Sequence, residues 1–191
     1  MEIPIFPLNG AVLFPGTSLP LNIFEKRYIE MVDYALSKER CIGMIQSDEK
    51  NKLYNIGCIG KIHSFSETTD GRYLISLQGT NCFKVKKELE KNYKFRLVEA
   101  EMLDFEEDKN IINEKQKNNL LDKYSQYIKV KKINLNIEEI QNIDFNQIIK
   151  FIAMISPFSD IEKQVLLETK NLSDFYKKLH SILELEIVED N

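Results

Sequence analysis

The chain of 191 residues, 43% hydrophobic and 10% aromatic, is long enough to bury one good core or two small ones and falls among globular sequences. A formal charge of −4, from 26 Lys and Arg against 30 Asp and Glu, supplies no general attraction toward phosphate backbones and disfavours nucleic acid as a partner. Three widely spaced cysteines with no close pair, Cys41, Cys58 and Cys82, argue against a disulfide framework or zinc knuckle, and no run approaches the roughly 18 apolar residues that span a bilayer.

The opening stretch holds four of the five prolines. Ile3-Pro4-Ile5-Phe6-Pro7-Leu8 leads into Val12-Leu13-Phe14-Pro15-Gly16, then into Leu19-Pro20-Leu21-Asn22-Ile23-Phe24-Glu25-Lys26-Arg27-Tyr28. Proline donates nothing to a sheet ladder and fixes its own φ, so these segments are expected as edge or bulged strands. A start of this kind is unlike a signal peptide, and the expected location is the cytoplasm. From Tyr28 the spacing changes: Tyr28, Met31, Val32, Ala35 and Leu36 form one helical stripe, predicting a helix from about Glu25 to Lys38.

Strand signals follow at Cys41–Ile45 and Tyr54–Phe65, the latter interrupted by Gly57 and Gly60. Asp70-Gly71 between that run and Tyr73–Leu77 predicts an antiparallel hairpin. Gly79 is expected to break the chain before Cys82–Lys86, where apolar and basic residues alternate. Tyr93, Phe95 and Leu97 alternate on one parity and Val98, Ala100 and Met102 on the other, which implies a bulge near Leu97 or a strand buried on both faces. About six strands and one helix, strongly bent, predict a curved mixed β-sheet or a partly open barrel.

Composition shifts at Asp104-Phe105-Glu106-Glu107-Asp108, an acidic cluster suited to a helix start. The domain boundary is placed there, giving a β-rich unit over 1–105 and a helical bundle over 106–191, an α+β chain. Helices are predicted from Asn110 to about Lys129, from a cap at Asp144 through Ile155, from about Asp160 to Thr169 behind a Ser159/Glu162 capping box, and from a cap at Ser173.

Catalytic chemistry finds no constellation. Gly79-Thr80-Asn81-Cys82-Phe83-Lys84 lacks the second glycine and the hydroxyl of a phosphate loop. His63 and His180 sit in different halves with no cysteine at ligand spacing, so neither a metal nor another cofactor is expected. None of the cysteines sits at a predicted helix N-terminus or beside a histidine. Glu106-Glu107-Asp108 and Glu138-Glu139 are charge runs that cap or solvate helices rather than acid–base pairs. A basic face is conceivable from Lys84, Lys86, Lys87 and Lys91, with Lys129, Lys131 and Lys132 later, but Glu88 and Glu90 dilute it. Phe6-Pro7 and Phe14-Pro15, together with Phe24, suit an exposed apolar surface for extended peptides, although taken singly each reads first as core. Glu25 and Arg27 at its edge read as a polar clamp or as an ordinary ion pair.

The same stretch resembles the Lon protease N-terminal domain family, which typically begins Pro-Leu-Phe-Pro-Leu and continues through Val-Leu-Phe-Pro-Gly, Leu-Pro-Leu and Ile-Phe-Glu-x-Arg-Tyr. These stand here as Pro4–Leu8 with Ile5 for leucine, Val12–Gly16, Leu19–Leu21 and Ile23–Tyr28. The resemblance extends through Ile56–Gly60, Asp70–Arg72, Gly79–Phe83 with Cys82 where arginine is usual, and Lys163–Glu168. It implies a PUA-like β-rich subdomain followed by a helical bundle, in a non-enzymatic, stand-alone bacterial protein of protein quality control. No ATPase module or serine–lysine peptidase follows in the sequence, so the family's proteolysis is not carried over. The partners it implies are unfolded or exposed apolar polypeptide segments, with a separate protease to which they could be presented, and no membrane. The peptide-binding candidates are Phe6, Phe14, Pro15, Phe24, Glu25, Arg27 and Tyr28; the alternative is an RNA-binding PUA-like protein.

Overall fold

The computed structural model describes residues 1–48, 50–105, 112–135 and 143–189. It has two compact units, Met1–Phe105 and Glu106–Asn191. The first contains β1 (Glu2–Pro7), β2 (Ser18–Ile23), α1 (Lys26–Leu36), β3 (Cys41–Ile45), β4 (Ile56–Glu67), β5 (Tyr73–Leu89) and β6 (Arg96–Leu103). The strands lie in the order β2-β5-β4-β3-β1-β6, and β5 also pairs with β6. That second pairing closes β5, β4, β3, β1 and β6 into a ring. It is possible because β5 is 17 residues long: Tyr73–Gln78 pairs with β2, and Cys82–Leu89 pairs with β6. β1 and β3 run parallel and the remaining pairs antiparallel, so the sheet is mixed.

Proline at the edge holds for β2, which ends the strand order and carries Pro20. It does not hold for β1, which lies between β3 and β6. There Pro4 and Pro7 are accommodated because the two flanks are paired over different residues, Glu2–Ile5 with β6 and Ile5–Pro7 with β3, so that only Ile5 is matched on both sides.

The Asp70-Gly71 hairpin joins β4 to β5 as the sequence predicts. Gly79, however, does not end the strand; it marks a close approach. Gly16 N donates to Gly79 O at 2.9 Å and Gly79 N to Thr17 O at 2.8 Å, and a Cβ on Gly79 would stand 2.2 Å from Phe14 O. The segment docked there is a type II turn: Pro15 and Gly16 (φ +89°) are its central residues, and Thr17 N donates to Phe14 O at 3.0 Å. Thr17 Oγ1 also donates to Phe14 O at 2.8 Å.

Leu97 (1% exposed) and Val98 (0%) are both buried, so β6 is covered on both faces at the parity change. The bulge lies on the partner strand instead, where Val85 opposes Ala100 and Lys87 opposes Glu99, leaving Lys86 as the extra residue. One core cluster of the first unit comprises Ile3, Ile5, Ile45, Ile59, Phe83, Val98 and Ala100. Cys58 and Cys82, distant in sequence, are register partners on β4 and β5.

The second unit holds α2 (Glu114–Val130), α3 (Phe145–Ile155), α4 (Asp160–Leu167) and α5 (Leu172–Glu189). α5 contacts α2, α3 and α4. Asp144 caps α3 and Ser159 with Glu162 boxes α4, as the spacing predicts. The cap of α2 is Asn113, in a reciprocal box with Gln116, and the first turn of α5 is held by Asn171, whose Oδ1 accepts from Asp174 N at 2.9 Å. Ser173 therefore lies inside α5 rather than at its start. The predicted helix start at Asn110 and the carboxylate runs Glu106-Glu107-Asp108 and Glu138-Glu139 lie outside the described residues. No described helix is long and apolar enough to cross a membrane.

Candidate functional site

Four chain segments meet where β1 leaves the sheet. Leu8 N donates to Ile45 O at 2.9 Å, and Asn9 Oδ1 accepts from Ser47 N at 2.9 Å and Ser47 Oγ at 3.3 Å, fixing the end of β1 to the loop after β3. That loop turns around Asp48, whose Oδ1 accepts from Lys50 N at 2.9 Å and Lys52 N at 2.8 Å, with Asn51 in the left-handed region at φ 60°. The antiparallel register that sets Ile5 opposite Arg96 brings Lys94-Phe95-Arg96 to the same place, and the first turn of α1 supplies Arg27 and Tyr28.

Together Pro7, Leu8, Asn9, Arg27, Tyr28, Ser47, Asn51, Lys94, Phe95 and Arg96 line a cavity of about 470 Å³. This is within the usual range for ligand sites. Tyr28 is 9% exposed and its ring stands 4.3 Å from that of Phe6, which is 8% exposed. Burial pushes the Tyr28 phenol above its ordinary value, against the opposing pull of Arg27. Phe95 stacks on Tyr93 at 4.8 Å and meets Tyr34 at 5.4 Å.

The cations are held by carboxylates that do not themselves line the cavity. Arg96 grips Glu88 through two 2.7 Å bonds and reaches Asn51 O from Nη1 at 3.4 Å. Those bonds lower the Glu88 carboxyl below its ordinary range. Glu25 occupies the N-cap position of α1 without capping it; its carboxylate takes Arg27 Nε and Nη2, each at 2.9 Å. The Arg27 guanidinium in turn lies 4.5 Å from the Tyr28 ring centre, a cation–π distance. Lys94 is 4.0 Å from Glu30.

The candidates from the opening stretch therefore separate. Arg27 and Tyr28 line the cavity, Phe6 backs Tyr28, and Glu25 holds Arg27. Phe24 stands 67% exposed immediately before them. Phe14, 1% exposed, is core, and Pro15 shapes the turn docked on Gly79. Asn9, Ser47, Asn51, Lys94, Phe95 and Arg96 were not legible as site residues. The signals that point to them are the Asn9-Gly10 turn and the cations alternating with aromatics in Tyr93-Lys94-Phe95-Arg96.

Other chemistry gains no support. Lys86 pairs with Glu101, Lys87 with Glu99 at 3.0 Å, and Lys91 with Glu2 at 2.6 Å, so neighbouring carboxylates offset part of that basic face. The RNA alternative gains no support. Burial raises the Cys41 thiol, the opposite of what a nucleophile needs. Among the described residues no three His, Cys, Asp or Glu side chains are grouped to hold a metal.

A family model described as the ATP-dependent protease La (LON) substrate-binding domain matches residues 2–184. Lon protease of Buchnera aphidicola subsp. Baizongia pistaciae is 28% identical over 201 residues, covering 98% of this chain and 25% of that protein. Lon protease of Dictyoglomus thermophilum is 26% identical over 200 residues, with 98% and 25% covered. The chain thus spans a quarter of the length of these curated relatives. Among solved structures, a Lon N-terminal domain protein from Xanthomonas campestris aligns with TM-score 0.68 at 18% identity over 96% of this chain and 98% of that one. The N-terminal domain of Mycobacterium avium complex Lon protease gives 0.70 at 13% over 99% of each. At these identities the two structures show a shared fold.

Proposed function

This chain belongs to the Lon substrate-binding domain family, and on that premise we propose that it is a non-catalytic module that binds exposed apolar segments of unfolded polypeptides at the cavity beside α1. The observation that carries this reading is the cavity itself. Its aromatic and aliphatic wall of Pro7, Leu8, Tyr28 and Phe95 is set among fixed polar groups, and Phe24, three residues before Arg27 in the chain, is exposed. That mixture suits a peptide segment: apolar side chains supply the binding surface, and polar groups orient the main chain. The module would present its clients to a separate protease. Within the chain, we read residues 1–105 as a PUA-like β-subdomain, supported by the closed strand ring, and 106–191 as a helical bundle, supported by the contacts of α5 with the other three helices.

The test uses reduced, carboxymethylated lysozyme as a permanently unfolded probe and native lysozyme as its control. The protein is expected to retain the unfolded form alone, and Phe24→Ala is expected to weaken retention by about 1 kcal/mol, several-fold in affinity. Phe24 is exposed enough for this substitution to leave the fold intact. No retention by a folded sample, or affinity unchanged in Phe24→Ala, contradicts the proposal.

A further inference from the structure

The cavity is lined by three cations and no carboxylate, in a chain whose formal charge is −4. Arg27, Lys94 and Arg96 come from two separate segments, so this concentration of charge is made by the β1–β6 pairing and the placement of α1, not by a run of basic sequence. The two arginines are held in place. Arg96 is fixed by its two bonds to Glu88 and the contact with Asn51 O, and Arg27 by Glu25 and the Tyr28 ring. Arg27 and Lys94 are not used up by their contacts. Glu25 engages Nε and Nη2 of Arg27, leaving Nη1 as a further donor, and Lys94 is 73% exposed with Glu30 no nearer than 4.0 Å. A guanidinium has five donors and an ammonium three, so both can accept a second carboxylate. The apolar wall of Leu8, Tyr28 and Phe95 lies in the same cavity.

We propose that this cavity selects client segments carrying an Asp or Glu side chain next to a large apolar one: Arg27 Nη1 and Lys94 Nζ receive the carboxylate, and Tyr28 and Phe95 receive the neighbouring side chain. The inference rests on the client-binding reading above and adds charge selectivity to it. The cavity is lined from four chain segments, and Arg27 and Lys94 stand exposed at it, so the occupant is an internal acidic side chain of an extended segment. Because Lys94 and Arg27 are exposed, the attraction is screened by salt.

The experiment measures binding of fluorescent, unstructured synthetic peptides to the full chain by anisotropy. One peptide carries Glu residues between Leu and Phe, a second has each Glu replaced by Gln, and both have amidated C-termini; a third is the Gln peptide with a free terminal carboxylate. The Glu peptide is expected to bind about tenfold more tightly than the Gln peptide at low salt, as charge-assisted bonds to a cation exceed neutral ones. The gap should narrow as salt is added, and Lys94→Glu or Arg27→Gln should each shrink it. Equal binding of the Glu and Gln peptides overturns the charge selectivity while leaving client binding standing. Tighter binding only of the free-acid peptide overturns it in favour of a chain terminus. No binding of any peptide by folded protein removes the underlying reading and this inference with it.

Discussion

Phe14 and Phe24 carry the same ring beside similar apolar neighbours, yet one is 1% and the other 67% exposed. The difference is not local. Phe14 heads the type II turn of Pro15 and Gly16, and that turn is seated on Gly79 of β5, far along the chain. Phe24 precedes the first turn of α1, where no strand covers it. Glu25, Arg27 and Tyr28 were legible as a group because they are neighbours in sequence, and a helix start places Arg27 and Tyr28 together. Lys94, Phe95 and Arg96 were not, because only the pairing of Ile5 with Arg96 brings them there. One residue-scale prediction concerns pH. Asp70, in the β4–β5 turn, accepts from Thr68 Oγ1 and pairs with Arg72 Nε at 2.8 Å, and the hydrogen bonds from Thr68 and Arg72 lower its carboxyl from 3.8 to about 2. A depressed folded pKa stabilises the folded state above the ordinary value of 3.8, and that stabilisation is lost as pH falls through about 2. Carboxyl-carbon NMR of the folded protein should give an Asp70 midpoint near 2; a midpoint at 3.8 contradicts the turn geometry.

At the scale of elements, the helices were largely legible from their stripes, and two of their caps were not. Ser159 and Glu162 announce α4 because a capping box is a local pattern with a fixed spacing. Asn113 and Gln116 carry the same spacing with amides in place of hydroxyl and carboxylate. At α5 the serine was the more conspicuous residue, but Asn171 makes the bond to Asp174 N. Replacing Asn171 with Ala should cost about 1 kcal/mol of stability, the usual cost of losing a cap acceptor. It is read as a lowered denaturant midpoint; no shift would show that α5 starts elsewhere. Among the strands, Gly79 signals a break by composition alone, whereas its missing side chain is what lets β5 run on past Phe14 O and reach β6. The break and the close approach share one sequence signature, and only the paired segment distinguishes them.

For the whole molecule, ring closure turns a modest set of strands into a rigid mount. β1 is held on both sides, by β3 and β6, and delivers Pro7, Leu8 and Asn9 to the cavity from a fixed direction. The family model spans residues 2–184 and so covers most of both units. Client recognition is proposed for the first unit, because the cavity and Phe24 belong to it. The most direct measurement is amide and aromatic chemical-shift mapping of the full chain titrated with an unstructured Leu- and Phe-containing peptide. Shifts should cluster on Leu8, Asn9, Arg27, Tyr28 and Lys94 to Arg96, with Phe24 at their margin. Shifts confined to the second unit, or to the Lys84–Lys86 face of β5, would contradict the assignment of the cavity as the client site.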